Sequence, residues 1–532
     1  MSTVTNPILP GFHPDPSIVR VGEWYYLANS TFEWWPGVRI HRSRDLVQWE
    51  LAGYALTRRS QLEMRGNPDS GGVWAPCLSY ADGRFWLIYS DAKSLNGIFK
   101  DVRNYLVTAP RIEGPWSEPV LLNSSGFDPS LFHDHTDGRK WIINQIWDPR
   151  PGRNAFAGIA LQEYSVAQQR LVGEPVTIFK GSALGVTEGP HLYFKDNYYY
   201  LVTAEGGTGF EHAVTVARSR SLVGPYELSP HHPLLSARDF SAHPLQKTGH
   251  GSLVQSPDGR WYVVYLCSRP CGVKRRCILG RETALQPFDW PEGDWPRLPQ
   301  GNLPALTVDV PGTAVATDYL PDFVDSFNAP QLNLQWNTLR EPADASWLSL
   351  AERPGYLRLR GRHSLNSTFD QSLIGFRLLH PRCRISTRLD FYPRSFQQTA
   401  GLALYYNTEN FYYACISCGD SGQRELRILA ALNGKFADLL TPPHPLPDTG
   451  AVAIVAELND GALRFILGVD APDAVAVVLI AGIDATTLSD DFVHEGGGWG
   501  FTGAFAVLCA QDSGDLGLPA DFDSFHYSKT SC

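Results

Sequence analysis

The first half of the chain repeats itself. A turn-forming segment, a short apolar stretch, a tight turn and an aromatic-rich stretch recur as "HPDPSIVRVGEWYYLANS", "VWAPCLSYADGRFWLIYSD", "GFDPSLFHDHTDGRKWIINQ", "TEGPHLYFKDNYYYLVTAEGG" and "GHGSLVQSPDGRWYVVYLC". Four of the five turns, "ADG", "TDG", "KDN" and "PDG", pair Asp or Asn with a residue that tolerates positive φ, as tight hairpins require. The copies begin near positions 15, 75, 128, 188 and 251, about 50–60 residues apart. That leaves room for four strands and a long loop per copy. Five blades of a β-propeller satisfy this pattern; one large sandwich with similar hairpins is the alternative.

In a propeller the first strand of each blade lines the central channel. Just ahead of those strands the copies carry Asp15, Trp74-Ala75, Asp128, Glu188 and His250. Radial symmetry would gather three carboxylates, a tryptophan and a histidine at one mouth of the channel, which folding does not require. Any one of these acids alone reads as a turn cap. Together they suit glycoside hydrolysis, which uses one protonated and one ionised carboxyl group. Asp15, between two prolines on a restricted backbone, suits a general base. Glu188 suits a general acid, provided that a nearby anion such as Asp128 raises its pKa. Phe32, Trp74 and Trp147 offer flat apolar walls to a sugar ring.

After "LPALTVDVPGTAVATDYLPDF" the repeat ends. The sequence divides into a propeller over 1–308, a linker over 309–321 and a second domain over 322–532. In that last part, period-two segments such as "RISTRLDFYP" and "AGLALYYNTENFYYACIS" predict a β-sandwich of the lectin-like jelly-roll kind. The whole chain is therefore expected to be all-β.

Composition narrows the partners. With 55 acidic against 45 basic residues and a net charge of −10, a nucleic-acid surface is not expected. No apolar run is long enough for a membrane span. The start lacks the pattern of a secretory signal, and nine scattered cysteines do not form a disulfide framework. A cytoplasmic protein is the expectation. "CISC" at Cys415–Cys418 stands alone inside a strand-like segment and lacks the four ligands of a zinc site. "GDSGQ" and "EGGGWG" read as turns.

The stretches "NPILPGFHPDPSIV", "STFEWWPGVRIHRSRDLVQW", "GGVWAPCLSY", "GFDPSLF", "TEGPHLY", "TGHGSLV", "LGRETALQPFDWPEGDWP" and "GFTGAF" resemble glycoside hydrolase family 43, most closely its two-domain bacterial β-xylosidases. The resemblance runs over nearly the whole chain. It implies Asp15 as general base, Glu188 as general acid and Asp128 as pKa modulator and orienter. It further implies Arg281 as a ligand of sugar hydroxyls, with Phe32, Trp74 and Trp147 as pocket walls. Phe505 is implied on a sandwich loop that closes one side of the site, although a phenylalanine there is equally read as sandwich core. His250 matches a histidine associated with a divalent cation, such as Ca2+, in the channel; no cofactor is expected to be required. The implied activity is inverting and exo-acting, releasing terminal β-D-xylose from short xylo-oligosaccharides with a side activity on α-L-arabinofuranosides. The implied assembly is a homodimer or homotetramer. The alternatives are an enzyme that is mainly an α-L-arabinofuranosidase, or a non-catalytic sugar-binding propeller.

Overall fold

The computed structural model describes residues 2–95, 98–310, 318–468 and 476–531. It divides into two compact units: Met1–Glu63, Gly71–Arg269 and Arg281–Tyr319 form the first, and Met64–Ser70, Pro270–Gly280 and Leu320–Cys532 the second.

The first unit is a five-bladed propeller. Each of the first four blades is a four-stranded antiparallel sheet, and the fifth has three strands, Gln246–Gln255, Trp261–Ser268 and Glu282–Phe288. The inner strands are Ser17–Val21, Gly72–Ala81, Ser130–His133, Glu188–Lys195 and Gln246–Gln255, and each touches the next around the ring, the fifth closing on the first. The hairpin turns follow the sequence chemistry: Asp82 and Gly83 have φ of 53° and 71°, and Asp196 and Asn197 have φ of 52° and 58°. Both residues of each turn are left-handed, matching the twist of the strands they join.

The N-terminal segment supplies what the three-stranded blade lacks. Leu9 and Thr283 exchange backbone hydrogen bonds, the His13 amide donates to the Arg281 carbonyl at 2.9 Å, and the Asn6 side chain bonds both the amide and carbonyl of Leu285. Strand Ser2–Thr5 pairs with Thr307–Val310, so residues 309 and 310, assigned to the linker from sequence, belong to a β-ribbon; positions 311–317 of that linker lie outside the described residues. Between blades, apolar faces meet face to face. Tyr200, Val202, Val214, Val263 and Tyr265 form one such layer, each at most 1% exposed. Burying a side chain of this kind stabilises the fold by roughly 1.5–3 kcal/mol.

The second unit is a sandwich of two antiparallel sheets. Alternating residues point inward, and Phe323 stacks on Phe376 with ring centroids 4.8 Å apart, flanked by Trp336 and Phe525. Asp490–Glu495 is the one α-helix among the described residues, capped by the Ser489 hydroxyl accepting from the Phe492 amide. Cys415 and Cys418 lie in strand Asn410–Cys418, and the eight described cysteines carry free thiols.

Candidate active site

The register of the repeat decides what faces the channel mouth. Pro16, Pro76, Pro129 and Pro190 are equivalent, each two residues before an inward Ile or Leu. The residues ahead of them, with His250 in the fifth blade, are therefore Asp15, Ala75, Asp128, Gly189 and His250. Four of these share one backbone state: φ is 51° at Asp15, 52° at Asp128, 55° at Gly189 and 50° at His250. Asp tolerates this region better than most residues. Glu188 and Trp74 stand one residue earlier, together with Phe127, and form a second tier. The sequence reading placed Glu188 and Asp15 at one equivalent point. The prolines show the offset.

Asp15 is held from several directions. The Pro14 carbonyl accepts from Asn29 Nδ2 at 2.9 Å and from the Ser30 amide at 3.3 Å, and Thr283 Oγ1 donates to the His13 carbonyl at 2.6 Å. A residue before proline is normally pushed to extended backbone; these bonds hold Asp15 in the left-handed region instead. Its carboxylate, 4% exposed, accepts from Ser30 Oγ at 2.6 Å and Arg281 Nη1 at 2.9 Å, with His250 Nδ1 at 3.8 Å. Burial alone would raise its pKa. The Arg281 guanidinium, His250, the Ser30 hydrogen bond and His212 together outweigh burial, and the carboxyl sits below its usual range.

The other two carboxyls behave in the opposite way. Burial and then the Asp15 charge raise Glu188 to about 7, with Arg281 and Lys100 pulling the other way. Asp128, buried and accepting the Gly189 amide at 3.1 Å, is pushed well above the carboxylate range by burial, then by Glu188 and Asp15. The sequence reading made Asp128 the anion that raises Glu188. In the structure burial and the Asp15 charge raise Glu188, and Asp128 is itself raised. One carboxyl group held low and two held high thus share the pocket, a separation of the kind that sets a base apart from an acid.

The walls are aromatic. Phe12, Phe32, Trp74, Phe127, Trp147 and Phe156 run in an arc with successive centroids 5.9, 6.3, 5.4, 6.1 and 5.5 Å apart. The Arg281 guanidinium lies over Phe32 at 5.3 Å and also donates to Thr208 Oγ1 at 3.0 Å. Lys100 Nζ stands 4.3 Å from the Trp147 ring centre and 5.7 Å from that of Trp74. Burial lowers its pKa against the pull of Glu188 and Asp128.

The structure therefore brings together Asp15, Asp128, Glu188, Arg281, Phe32, Trp74, Trp147 and His250. Phe505 belongs to the second unit. It heads strand Phe505–Asp512, fully buried, beside Tyr405 and under the Arg377 guanidinium at 5.3 Å. The sequence reading missed Phe127, Lys100, Ser30 and Thr208. Phe127 was within reach, because it precedes Asp128 as Trp74 precedes Ala75.

His250 is buried beneath Asp15, with the His191 ring 6.4 Å away. Among the described residues no three His, Cys, Asp or Glu side chains converge as metal ligands. Ca2+ takes six to eight oxygens, so these side chains do not by themselves make a cation cage, and no chemical step is assigned to a metal.

Residues 4–296 match the family model described as "Glycosyl hydrolases family 43". The chain belongs to glycosyl hydrolase family 43. Residues 324–528 match the model described as "Beta xylosidase C-terminal Concanavalin A-like domain", in keeping with the sandwich. Among its relatives in the family, the chain is 46% identical to "Xylosidase/arabinosidase 43B" of Humicola insolens, over 99% of this chain and 98% of the other. It is 45% identical to "Beta-xylosidase" of Bacillus subtilis (strain 168), over 99% of both. The crystal structure of xylan beta-1,4-xylosidase from Bacillus halodurans C-125 superposes with a TM-score of 0.94 at 50% identity, covering 99% of this chain and 100% of the other. This family 43 protein is a glycoside hydrolase.

Proposed function

We propose that the protein is an inverting exo-glycosidase that releases terminal β-D-xylose from the non-reducing end of short xylo-oligosaccharides, with a side activity on α-L-arabinofuranosides. The observation that carries this reading is the division of charge in one aromatic pocket, an Asp15 held ionised by Arg281 and a Glu188 raised to about 7. In the reaction Glu188 gives its proton to the glycosidic oxygen as the C1–O bond breaks. A water attacks C1 from the opposite face, and Asp15 takes its proton. Asp128 takes part by position, binding the Gly189 amide next to Glu188. The aromatic arc supports the faces of the sugar, and Arg281 and Lys100 present donors to its hydroxyls. The names of the relatives, which join xylosidase to arabinosidase, support both substrate classes.

Proton NMR of the anomeric region during xylobiose hydrolysis tests the reading. α-Xylose in excess of its mutarotation equilibrium in the first minutes is the expected result. β-Xylose appearing first would make Asp15 a nucleophile. A larger kcat/KM on 4-nitrophenyl α-L-arabinofuranoside than on the β-xyloside would reverse the order of the two activities.

A further inference from the structure

Among the fully buried acids that the mechanism does not use, Glu205 is the one beside the loop leading into Glu188. Glu205 ends strand Tyr198–Glu205 and is 0% exposed. Its carboxylate accepts from the Ser182 amide at 2.7 Å, from Thr187 Oγ1 at 2.8 Å and from the Ser182 hydroxyl. These donors lie at the two ends of the loop that leads into Glu188, and Thr187 is its immediate neighbour. The Gly206 amide adds a bond to the Gly185 carbonyl at 2.8 Å in the middle of the same loop. The fit is tight: a Cβ on Gly181 would come 2.0 Å from Thr187 Oγ1 and 3.1 Å from Glu205 Oε1. On its other side Glu205 opens the Gly206–Gly209 turn carrying Thr208, which accepts from Arg281 at 3.0 Å.

An isolated buried carboxylate is costly unless it is hydrogen-bonded, and a simpler loop could close without one. Here the acid draws a loop of eight residues onto the end of one strand, at the point where the chain turns toward the leaving group. We infer that Glu205 is a positioning residue for proton donation, fixing Glu188 through Thr187 and Ser182. It touches no substrate, and the inference rests on the reading of Glu188 as general acid.

Leaving groups separate this role from plain structural support. A glycosidic oxygen of xylobiose needs a proton to depart, whereas 4-nitrophenolate departs without one, so misplacing the acid harms the first substrate selectively. The variants are Thr187→Val, Glu205→Ala and Glu205→Gln, with Glu188→Ala as reference and thermal melting as the check on folding. Thr187→Val keeps its shape and is expected to lose about tenfold in kcat/KM on xylobiose, Glu205→Ala about 10²-fold, and both much less on 4-nitrophenyl β-xyloside. Glu205→Gln should recover most of the loss, because its amide oxygen still accepts from Ser182 and Thr187 while its NH2 donates to the Ser182 hydroxyl. If Glu188→Ala itself slows both substrates alike, the acid assignment fails. If Glu188→Ala is selective but folded Thr187→Val is unchanged, or slows both substrates equally, the role given to Glu205 is overturned. Should Glu205→Ala not fold, Thr187→Val decides alone.

Discussion

Arg281 controls both limbs of the expected pH profile, and Arg281→Met tests that control. In the wild type, the acid limb of kcat/KM reports the base and the alkaline limb the acid of the free enzyme. Asp15 is held below its usual range by Arg281, and Glu188 stands at about 7 despite the same cation. Two charges 2.9 Å apart attract by roughly 6 kcal/mol at an effective dielectric near 20. Ser30 and His250 keep their contacts with Asp15, and water enters the vacated space, so the working shift is the one usual for Asp beside Arg, about 1–3 pH units. The sign is fixed: losing a cation raises the pKa of every carboxyl it faced. The acid limb should therefore move up by that amount, and the alkaline limb should move above 7 rather than below it. Methionine retains an apolar stem under Phe32, so lost hydroxyl binding contributes a factor that does not vary with pH. With xylobiose, whose leaving group needs the proton, assayed over about pH 4–9, the ratio of wild type to variant should be greatest at the acid end and fall toward the alkaline end. A ratio constant with pH would refute the argument and leave Arg281 as a sugar ligand only.

Two further substitutions probe packing. Gly189→Ala puts a Cβ 3.0 Å from the His250 ring at a φ of +55°, beside Glu188 and on the amide that binds Asp128; melting temperature and kcat on xylobiose should both fall, at a strain of about 1–3 kcal/mol, and a variant unchanged in both would show that the channel mouth yields. Phe505→Ala removes a fully buried ring and should cost about 3–5 kcal/mol in urea unfolding. A loss of activity with unchanged stability would favour the direct role at the site that the resemblance implies for Phe505.

Much of the site was legible because the repeat carries its own ruler. Asp15 and Asp128 sit in matching "DPS" triplets, and the aromatic residues that precede or follow them stand out in composition. The one-residue offset of Glu188 was harder to see: "TEGPHL" keeps the proline but places glycine in the slot, so the eye pairs acid with acid rather than proline with proline. Thr208 and Lys100 lie outside the repeated segments and Ser30 closes the first of them, and only the folding of the chain brings all three to the carboxyls. The source of the Glu188 shift was likewise hidden, since it depends on which carboxyl Arg281 holds ionised. In the sandwich, period-two alternation sufficed for the architecture but said nothing of which side of its sheet Phe505 occupies.

The left-handed backbone shared by Asp15, Asp128, Gly189 and His250 has a practical consequence for dissecting this enzyme. Four of the five blades offer the same socket, and what fills it differs: two carboxyls, a bare hydrogen atom and an imidazole. Asparagine sits in such a socket nearly as comfortably as aspartate, whereas alanine carries a conformational cost of its own of about 1–2 kcal/mol. Asp15→Asn therefore reports the loss of a charge, and Asp128→Asn the loss of a titratable proton, without that conformational cost. The corresponding alanines mix that loss with a strained blade edge, and a rate measured on them overstates what the carboxylate does.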